Sequence, residues 1–317
     1  MEKTRSTELP LVTCIILSYK KFEYLPDALR SVLRQTYPKI ELLITDDASP
    51  GFDAFREQLQ TLIQREKREN ILRWEIHHHP ENVGTVKNIN SMLRIASGEY
   101  YFLLSGDDEL YDEAVISAVV ERFLQTGADL ISCSRMYCTN AMKPVKVLPT
   151  PEDLRMIRKM DTPKKQFRSF VVFKFHNIAS GSAMYYSKRH ILEFGLFDER
   201  YRLWEDGPRL AKYAQAGRMI ETAFDIVAIR YRGGGISNLA PSSSAEKIRL
   251  GEDHLRFISN VLIPNKTGTN LRSRRYWMFW YAWDTSSTAA ERRSLMLRYP
   301  EYLIKFLWKK LLGKPIR

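Results

Sequence analysis

The sequence predicts an α/β fold: a mainly parallel sheet flanked by helices, followed by a helical C-terminal extension. Three observations predict it. Short apolar runs alternate with one-sided helical stripes from Leu11 to about Ser97, the pattern of βαβ units. Three of these runs stop abruptly at polar residues: at Ser18-Tyr19, at Asp46-Asp47, and at Ser105-Gly106-Asp107-Asp108. From Pro241 onward the chain reads as helix alone, basic and rich in aromatics.

Leu11 to Leu17 predicts a first strand buried on both faces. Pro26 opens a helix whose Leu25, Leu29, Val32 and Leu33 form one stripe, and Pro38 ends it. Ile40 to Thr45 is the second strand, a helix then runs to about Lys67, and Leu72 to His77 is the third strand. Val86, Ile89, Leu93 and Ala96 share a face of the next helix. Tyr100 to Leu104 is a fourth strand, followed by a helix from Glu113 to Gln125 and a fifth strand from Asp129 to Met136. Residues 139–165 are rich in Pro and Lys and predict an irregular crossover bordering the site. Ser180 to Tyr186 predicts another strand, Lys188 starts a helix, and Trp204-Glu205-Asp206-Gly207-Pro208 opens the next. Ile226 to Tyr231 is the last strand, running into Arg232-Gly233-Gly234-Gly235-Ile236-Ser237. Parallel crossovers are right-handed, so the carboxyl ends of strands one, two and four line one edge, where open α/β sheets bind ligands. That is a nucleotide site in outline.

At 317 residues the chain is long enough for one large domain with an appendage, divided here as 1–240 and 241–317. No apolar run is long enough to span a bilayer, and the charged first residues lack a signal-peptide core. Three cysteines without CxxC spacing predict a reduced, cytosolic protein. The net charge of +12 is uneven: residues 271–317 hold eleven Lys or Arg against three Asp or Glu, a net of +8, leaving +4 for the other 270. A nearly balanced core speaks against nucleic acid as the partner. Tyr302 to Leu312 alternates apolar residues with lysines, which suits residues 295–312 to a helix lying in a membrane interface. His77-His78-His79 alternate along a strand end and cannot all face one ion.

Two acidic pairs carry the chemistry. Asp107-Asp108 at the end of a central strand suits a hard divalent cation, held by one or two carboxylates together with phosphate oxygens. Taken alone, such a pair is more often a polar turn capping the next helix. Glu205-Asp206, taken alone, reads as an acidic helix N-terminus favoured by the dipole.

The ordered set of short words decides between these readings. They are Val-Thr-Cys-Ile-Ile-Leu-Ser-Tyr at 12–19, Leu-Arg-Gln-Thr-Tyr-Pro at 33–38, Glu-Leu-Leu-Ile-Thr-Asp-Asp-Ala-Ser at 41–49 and Asn-Val-Gly at 82–84. Gly-Glu-Tyr at 98–100, Gly-Asp-Asp at 106–108, Gly-Leu-Phe-Asp-Glu at 195–199 and Trp-Glu-Asp at 204–206 complete them. In this order and spacing, residues 11–237 resemble the family-two glycosyltransferases, inverting enzymes of the GT-A fold. The resemblance implies that Ser18 and Tyr19 line a nucleotide's base and ribose, and that Asp47 accepts a uracil imide N–H. It implies that Asp108 is the principal ligand of Mn²⁺ or Mg²⁺, that Asp107 reaches the ribose or supports the metal, and that Asp206 is the catalytic base. Glu205, Trp204 and Arg232 then serve the acceptor or support the site.

Two positions depart from the family's habit. Ser105 stands where an Asp-x-Asp motif has its first acid, and Ile89 stands where a basic residue often contacts diphosphate, leaving Lys87 as its substitute. The implied activity is metal-dependent, inverting hexosyl or N-acetylhexosaminyl transfer from a nucleoside diphosphate donor, UDP-linked because of Asp47. The implied acceptor is a glycan or lipid-linked intermediate of surface polysaccharide synthesis, met in the cytoplasm at the inner face of the cell membrane. The rival is a non-catalytic GT-A-like domain that binds nucleotide or glycan without turnover.

Overall fold

Side chains that alternate along the central strands divide between two helical layers, and this division builds the molecule. The computed structural model describes residues 8–171, 179–232, 245–265, 271–302 and 304. β1 (Val12–Ser18) lies between β2 (Ile40–Asp46) and β4 (Tyr100–Ser105), all parallel, and β3 (Ile71–His78) pairs with β2 in the same direction. Val12, Cys14, Ile16, Leu42, Ile44, Phe102 and Leu104 face one layer, built on α1 (Leu25–Leu33), α2 (Phe52–Glu66) and α4 (Val115–Thr126). Ile15, Leu43, Tyr101 and Leu103 face the other, built on α3 (Thr85–Leu93), α7 (Lys188–Phe194) and α8 (Asp206–Gln215). Strands covered on both faces read as continuous apolar runs, as β1 and β2 do.

The second half of the sheet mixes directions. The strand order is β3-β2-β1-β4-β8-β6-β9-β5, and β7 hangs on β6. β8 (Met184–Ser187) runs antiparallel to both β4 and β6 (Leu130–Cys138), while β9 (Glu221–Arg232) is parallel to β6. The two-residue β5 (Glu109–Leu110) turns back against β9 immediately after the acidic turn.

The structure corrects three expectations. Residues 139–165 are not irregular: β7 (Pro144–Leu148) forms a hairpin with β6, and α5 (Pro151–Ile157) and the start of α6 (Pro163–Val171) follow. Thr150 caps α5 in a reciprocal box with Asp153 beside a Pro at the first turn. The segment before β8 is a 3₁₀ turn (Gly181–Ala183) and not strand, closed by the Ala183 N–H donating to the Ser180 carbonyl at 2.8 Å. β9 starts at Glu221, five residues earlier than the apolar run suggests, because pairing with β6 extends it.

The C-terminal helices are α9 (Ala245–Phe257), a π-helical turn (Ile258–Leu262), α10 (Leu271–Thr285) and α11 (Ala289–Arg298). Phe257, Ile258, Leu262 and Trp277 are buried in the same core as α3 and α8. The three cysteines are free and buried. No helix among the described residues is long and apolar enough to cross a membrane.

Candidate functional site

The acidic turn is set by β4. Gly106 donates its N–H to the Leu17 carbonyl at 2.7 Å, and a Cβ there would lie 2.9 Å from that oxygen, so only glycine lets the chain turn against β1. Ser105 Oγ donates to Asp107 Oδ1 at 2.5 Å, and Lys21 Nζ reaches Asp107 Oδ2 at 3.1 Å. Ser105 therefore orients Asp107 in place of adding a carboxylate. Asp108 is 2% exposed, and its Oδ1 accepts the Arg232 backbone N–H at 2.8 Å. Burial, with the adjacent Asp107 charge, pushes the Asp108 carboxyl well above the ordinary range.

Asp47 follows β2 and gathers the Asn82-Val83-Gly84 loop. Its Oδ1 accepts the Val83 N–H at 2.7 Å, and its Oδ2 accepts from Gly84 N at 2.9 Å and Asn82 Nδ2 at 3.0 Å. Burial raises its pKa against the pull of these amides. Oδ1 holds one bond and keeps capacity for a second donor. Gly84 has φ +88°, and a Cβ there would come within 2.5 Å of Arg202 Cγ and 2.7 Å of its carbonyl oxygen. Gly84→Ala is expected to push the loop off Asp47, weakening nucleotide binding by roughly tenfold or more and lowering thermal stability by about 1–3 kcal/mol. Calorimetric titration beside thermal unfolding checks this.

Asp206 opens α8. Its Oδ1 accepts the Gly207 N–H at 2.7 Å and its Oδ2 the Gly181 N–H at 3.0 Å. Trp204 packs against Gly207, where a Cβ would meet the indole at 2.1 Å, and its N–H faces the Asp206 carboxylate. Glu205 Oε1 would meet a Cβ on Gly181 at 2.4 Å, so this carboxyl is tucked beneath the 3₁₀ turn. Burial raises both carboxyls, and the Asp206 charge adds to the rise at Glu205. Both acids therefore converge on Gly181.

Arg135, in the middle of β6, joins the two acidic centres and was not singled out from the sequence. Its guanidinium lies within electrostatic reach of both Asp108 and Asp206, donates to Ser180 Oγ and Ser182 Oγ, and sits 4.9 Å from the Tyr231 ring centre. Burial lowers its pKa against the pull of both acids. Its only sequence signal is a lone charge within a strand pattern.

The remaining expected residues fall as follows. Ser18 is buried at the end of β1, where its carbonyl accepts the Asp47 N–H at 3.0 Å. Tyr19 is half-buried beside it, under the Lys20 ammonium at 4.6 Å. Arg232 is a strut: Nε donates to the Asp107 carbonyl at 3.1 Å, another nitrogen bonds the Asn140 carbonyl, and the guanidinium lies 3.9 Å from the Tyr24 ring centre. Lys87 is exposed on α3 with Glu199 in electrostatic reach, and none of the described contacts joins it to the acidic turn. Ile89 is buried, and its neighbour Asn90 instead bonds Phe197 N, Phe197 O and Glu199, locking the Gly-Leu-Phe-Asp-Glu word in place. His77, His78 and His79 go to different partners: Glu75 for the first, Asp53 and Asp46 for the second, Ser91 for the third. Residues 233–237 and His176 lie outside the described residues.

Among the described residues no three His, Cys, Asp or Glu side chains gather as a metal cage. Asp107, half-buried, and Asp108, buried, instead offer a small, hard oxygen set just past the carboxyl end of β4. This fits a cation that keeps waters and takes further oxygens from a phosphate ligand.

Comparison with known proteins gives the following likenesses. The family model described as Glycosyl transferase family 2 matches residues 13–190. The chain is 24% identical over 222 residues to the uncharacterized glycosyltransferase EpsJ of Bacillus subtilis, covering 67% of this chain and 58% of that one. It is 35% identical over 100 residues to the putative teichuronic acid biosynthesis glycosyltransferase TuaG of the same organism, covering 32% of this chain and 37% of that one. The chain thus spans less than two thirds of either relative. Among solved structures, S. aureus TarS in complex with UDP-GlcNAc aligns with a TM-score of 0.56 at 15% identity, covering 86% of this chain and 80% of that one. The mannosyltransferase PcManGT of Pyrobaculum calidifontis, in complex with GDP-Man and Mn²⁺, aligns with a TM-score of 0.56 at 18% identity, covering 98% and 89%. At these identities the two structures establish the shared fold, a GT-A sheet with flanking helices.

Proposed function

Because this chain belongs to glycosyl transferase family 2, we propose that it transfers a sugar from a nucleoside diphosphate donor to an acceptor hydroxyl with inversion. The observation that carries the reading is Arg135, which bonds Ser180 and Ser182 on either side of the Gly181 amide that holds Asp206 and lies within electrostatic reach of Asp108. The division of labour between the two acidic centres follows from their surroundings. Asp206 takes the proton of the acceptor hydroxyl as its oxygen bonds to the anomeric carbon. The bond from that carbon to the diphosphate breaks, and its electron pair leaves with the nucleoside diphosphate. Arg135 faces the region where that negative charge grows. Asp108, supported by Asp107, would hold Mn²⁺ or Mg²⁺, which when bound supplies positive charge to the diphosphate.

A UDP-linked hexose or N-acetylhexosamine is the donor this reading favours, since Asp47 Oδ1 retains room for an imide N–H beside Ser18 and Tyr19. A glycan or lipid-linked acceptor of surface polysaccharide synthesis is in keeping with the relatives' names. Residues 1–240 would form the transferase unit, with 241–317 as a helical extension attached to it.

Titrating UDP, GDP, TDP and CMP into the protein by calorimetry, each with and without Mn²⁺, tests the proposal. Metal-dependent binding of UDP alone is the expected result. A folded protein that binds none of them overturns it, and UDP binding without turnover of any UDP-sugar turns the reading to the non-catalytic rival.

A pH dependence follows from the buried acids. Asp206 must be ionised to accept a proton, and its pKa is raised by burial. As pH falls through that raised value the base is lost, so the acid limb of kcat/KM is expected above pH ~4, where an exposed Asp would place it. A pH–rate profile with a limb at or below that value would contradict the assignment.

Peripheral membrane contact, at the inner face of the cell membrane, is the further part of the proposal. Of residues 295–312, positions 295–302 and 304 are described, and Leu297 and Ile304, seven residues apart, are 80% and 67% exposed. Arg292 and Arg293 are exposed on α11 nearby. The pattern suits apolar insertion beside anionic headgroups. Flotation with phosphatidylglycerol vesicles is expected to carry the protein, and Leu297→Glu with Ile304→Glu to abolish it. Equal flotation of both proteins would end the membrane reading.

A further inference from the structure

Asp253 sits on α9, beyond the span matched by the family, and is 3% exposed. Its carboxylate accepts backbone N–H bonds from three consecutive residues of the loop leading to Asp206. Arg202 N lies 2.9 Å from both carboxylate oxygens, Leu203 N is 2.7 Å from Oδ2, and Trp204 N is 3.1 Å from Oδ2. Three successive amides pointing one way form an anion-binding concavity. Here the anion is a side chain brought from 49 to 51 residues further along the chain.

The same helix also holds the side chain of the loop. The Trp204 indole meets His254 edge-on at 4.3 Å and Phe257 at 5.0 Å, and it also packs against Gly207. Backbone and ring of Trp204 are thus both fixed by α9, two residues before Asp206. Arg202 carries the anchor onward: its carbonyl accepts the Val86 N–H at 3.2 Å, and its guanidinium donates to the Asn82 carbonyl and side chain at 2.6 Å.

We infer that Asp253 is a positioning residue for the transfer reaction, holding the Trp204-Glu205-Asp206 loop in its working geometry from outside the sheet. The inference rests on the reading of Asp206 as the base. Its physical basis is that misplacing a reacting group by about 1 Å costs on the order of a hundredfold in rate. Unanchored amides would turn toward water, and the loop would follow them.

The test compares the wild-type chain with Asp253→Asn, Asp253→Ala and Leu262→Ala. Leu262 is fully buried in the same core and makes none of these bonds, so its truncation reports loss of packing. Hydrogen exchange is read at residues 202–207, and UDP-sugar hydrolysis or transfer is normalised to the number of nucleotide-binding sites found by calorimetry. The expected result is faster exchange at the Arg202, Leu203 and Trp204 amides in both Asp253 variants and not in Leu262→Ala. With it, kcat per binding site falls about a hundredfold for Asp253→Ala, while nucleotide affinity falls less than about tenfold, the part that the Arg202 bonds to the Asn82 loop account for.

Unchanged exchange at those amides overturns the inference whatever the activity. A kcat per site that falls equally in Leu262→Ala, or an affinity that falls with kcat, also overturns it by showing a general loss of structure. A wild-type chain that binds nucleotide and turns over no sugar sinks the transferase reading by itself. The exchange arm still decides whether Asp253 holds the loop.

Discussion

Asp206→Asn is expected to lower turnover about a hundred- to ten-thousandfold while nucleotide affinity stays within about twofold. The substitution keeps the shape of the side chain and removes its ability to accept a proton. Of its two backbone bonds one survives, since the amide oxygen can still accept from Gly207 or Gly181. The amide nitrogen then faces the other N–H, a local cost of about 1–3 kcal/mol that thermal unfolding can measure separately. Glu205 is poorly placed to take over, because it is tucked under the Cα of Gly181. With the Asp206 charge gone, one cause of the raised Glu205 pKa goes as well. Single-turnover kinetics with a saturating donor would give the comparison. A variant retaining more than about a tenth of wild-type kcat would remove Asp206 from the role of base.

Asp108→Asn is expected to have opposite effects on binding and on stability. Metal-dependent nucleotide binding should weaken by about a hundredfold, since the cation loses its buried charged ligand and only Asp107 remains. The Asn oxygen still accepts the Arg232 N–H, so the end of β9 stays in register with the turn. Without metal or nucleotide, the variant should unfold a few degrees higher. It no longer holds a carboxylate almost out of contact with water beside the Asp107 charge. Calorimetry with and without Mn²⁺, together with thermal unfolding of the metal-free protein, reads both effects. Unchanged metal-dependent affinity would remove Asp108 as the metal ligand.

The short sequence words turn out to be contacts as well as labels. Asp47 of the third word is bonded by Asn82, Val83 and Gly84 of the fourth. Gln35 of the Leu-Arg-Gln-Thr-Tyr-Pro word accepts from Ile116 N and donates to the Asp112 carbonyl, tying the end of α1 to the start of α4. Gly98 donates to Thr13 Oγ1, and that hydroxyl donates to the buried Glu41 at 2.6 Å. Words far apart in the sequence are thus joined in the fold by bonds from their own side chains.

What the linear pattern leaves out has a common cause. Arg135 is one charge within a strand, and its place between Asp108 and Asp206 exists only because β8 inserts antiparallel between β4 and β6. Arg232, expected from the sequence to serve the acceptor or support the site, spends its guanidinium on the Asp107 and Asn140 carbonyls. β7 and α5 carried legible signals, alternating Val145 and Val147 and the Thr150 capping box, that the Pro and Lys content of the segment obscured.

The sequence by itself determined the parallel β1, β2 and β4 core, the acidic turn after β4 and the acid that opens α8. Each is specified within a few residues, by the period of side chains along a strand or by a turn that only Gly106 permits. The tertiary structure alone decided that Arg135 lies within electrostatic reach of both acidic centres and that α9 anchors the loop to Asp206 through Asp253. Those are bonds between segments up to tens of residues apart or across mixed strand directions. Their partners are chosen by packing in three dimensions, and no local spacing encodes them.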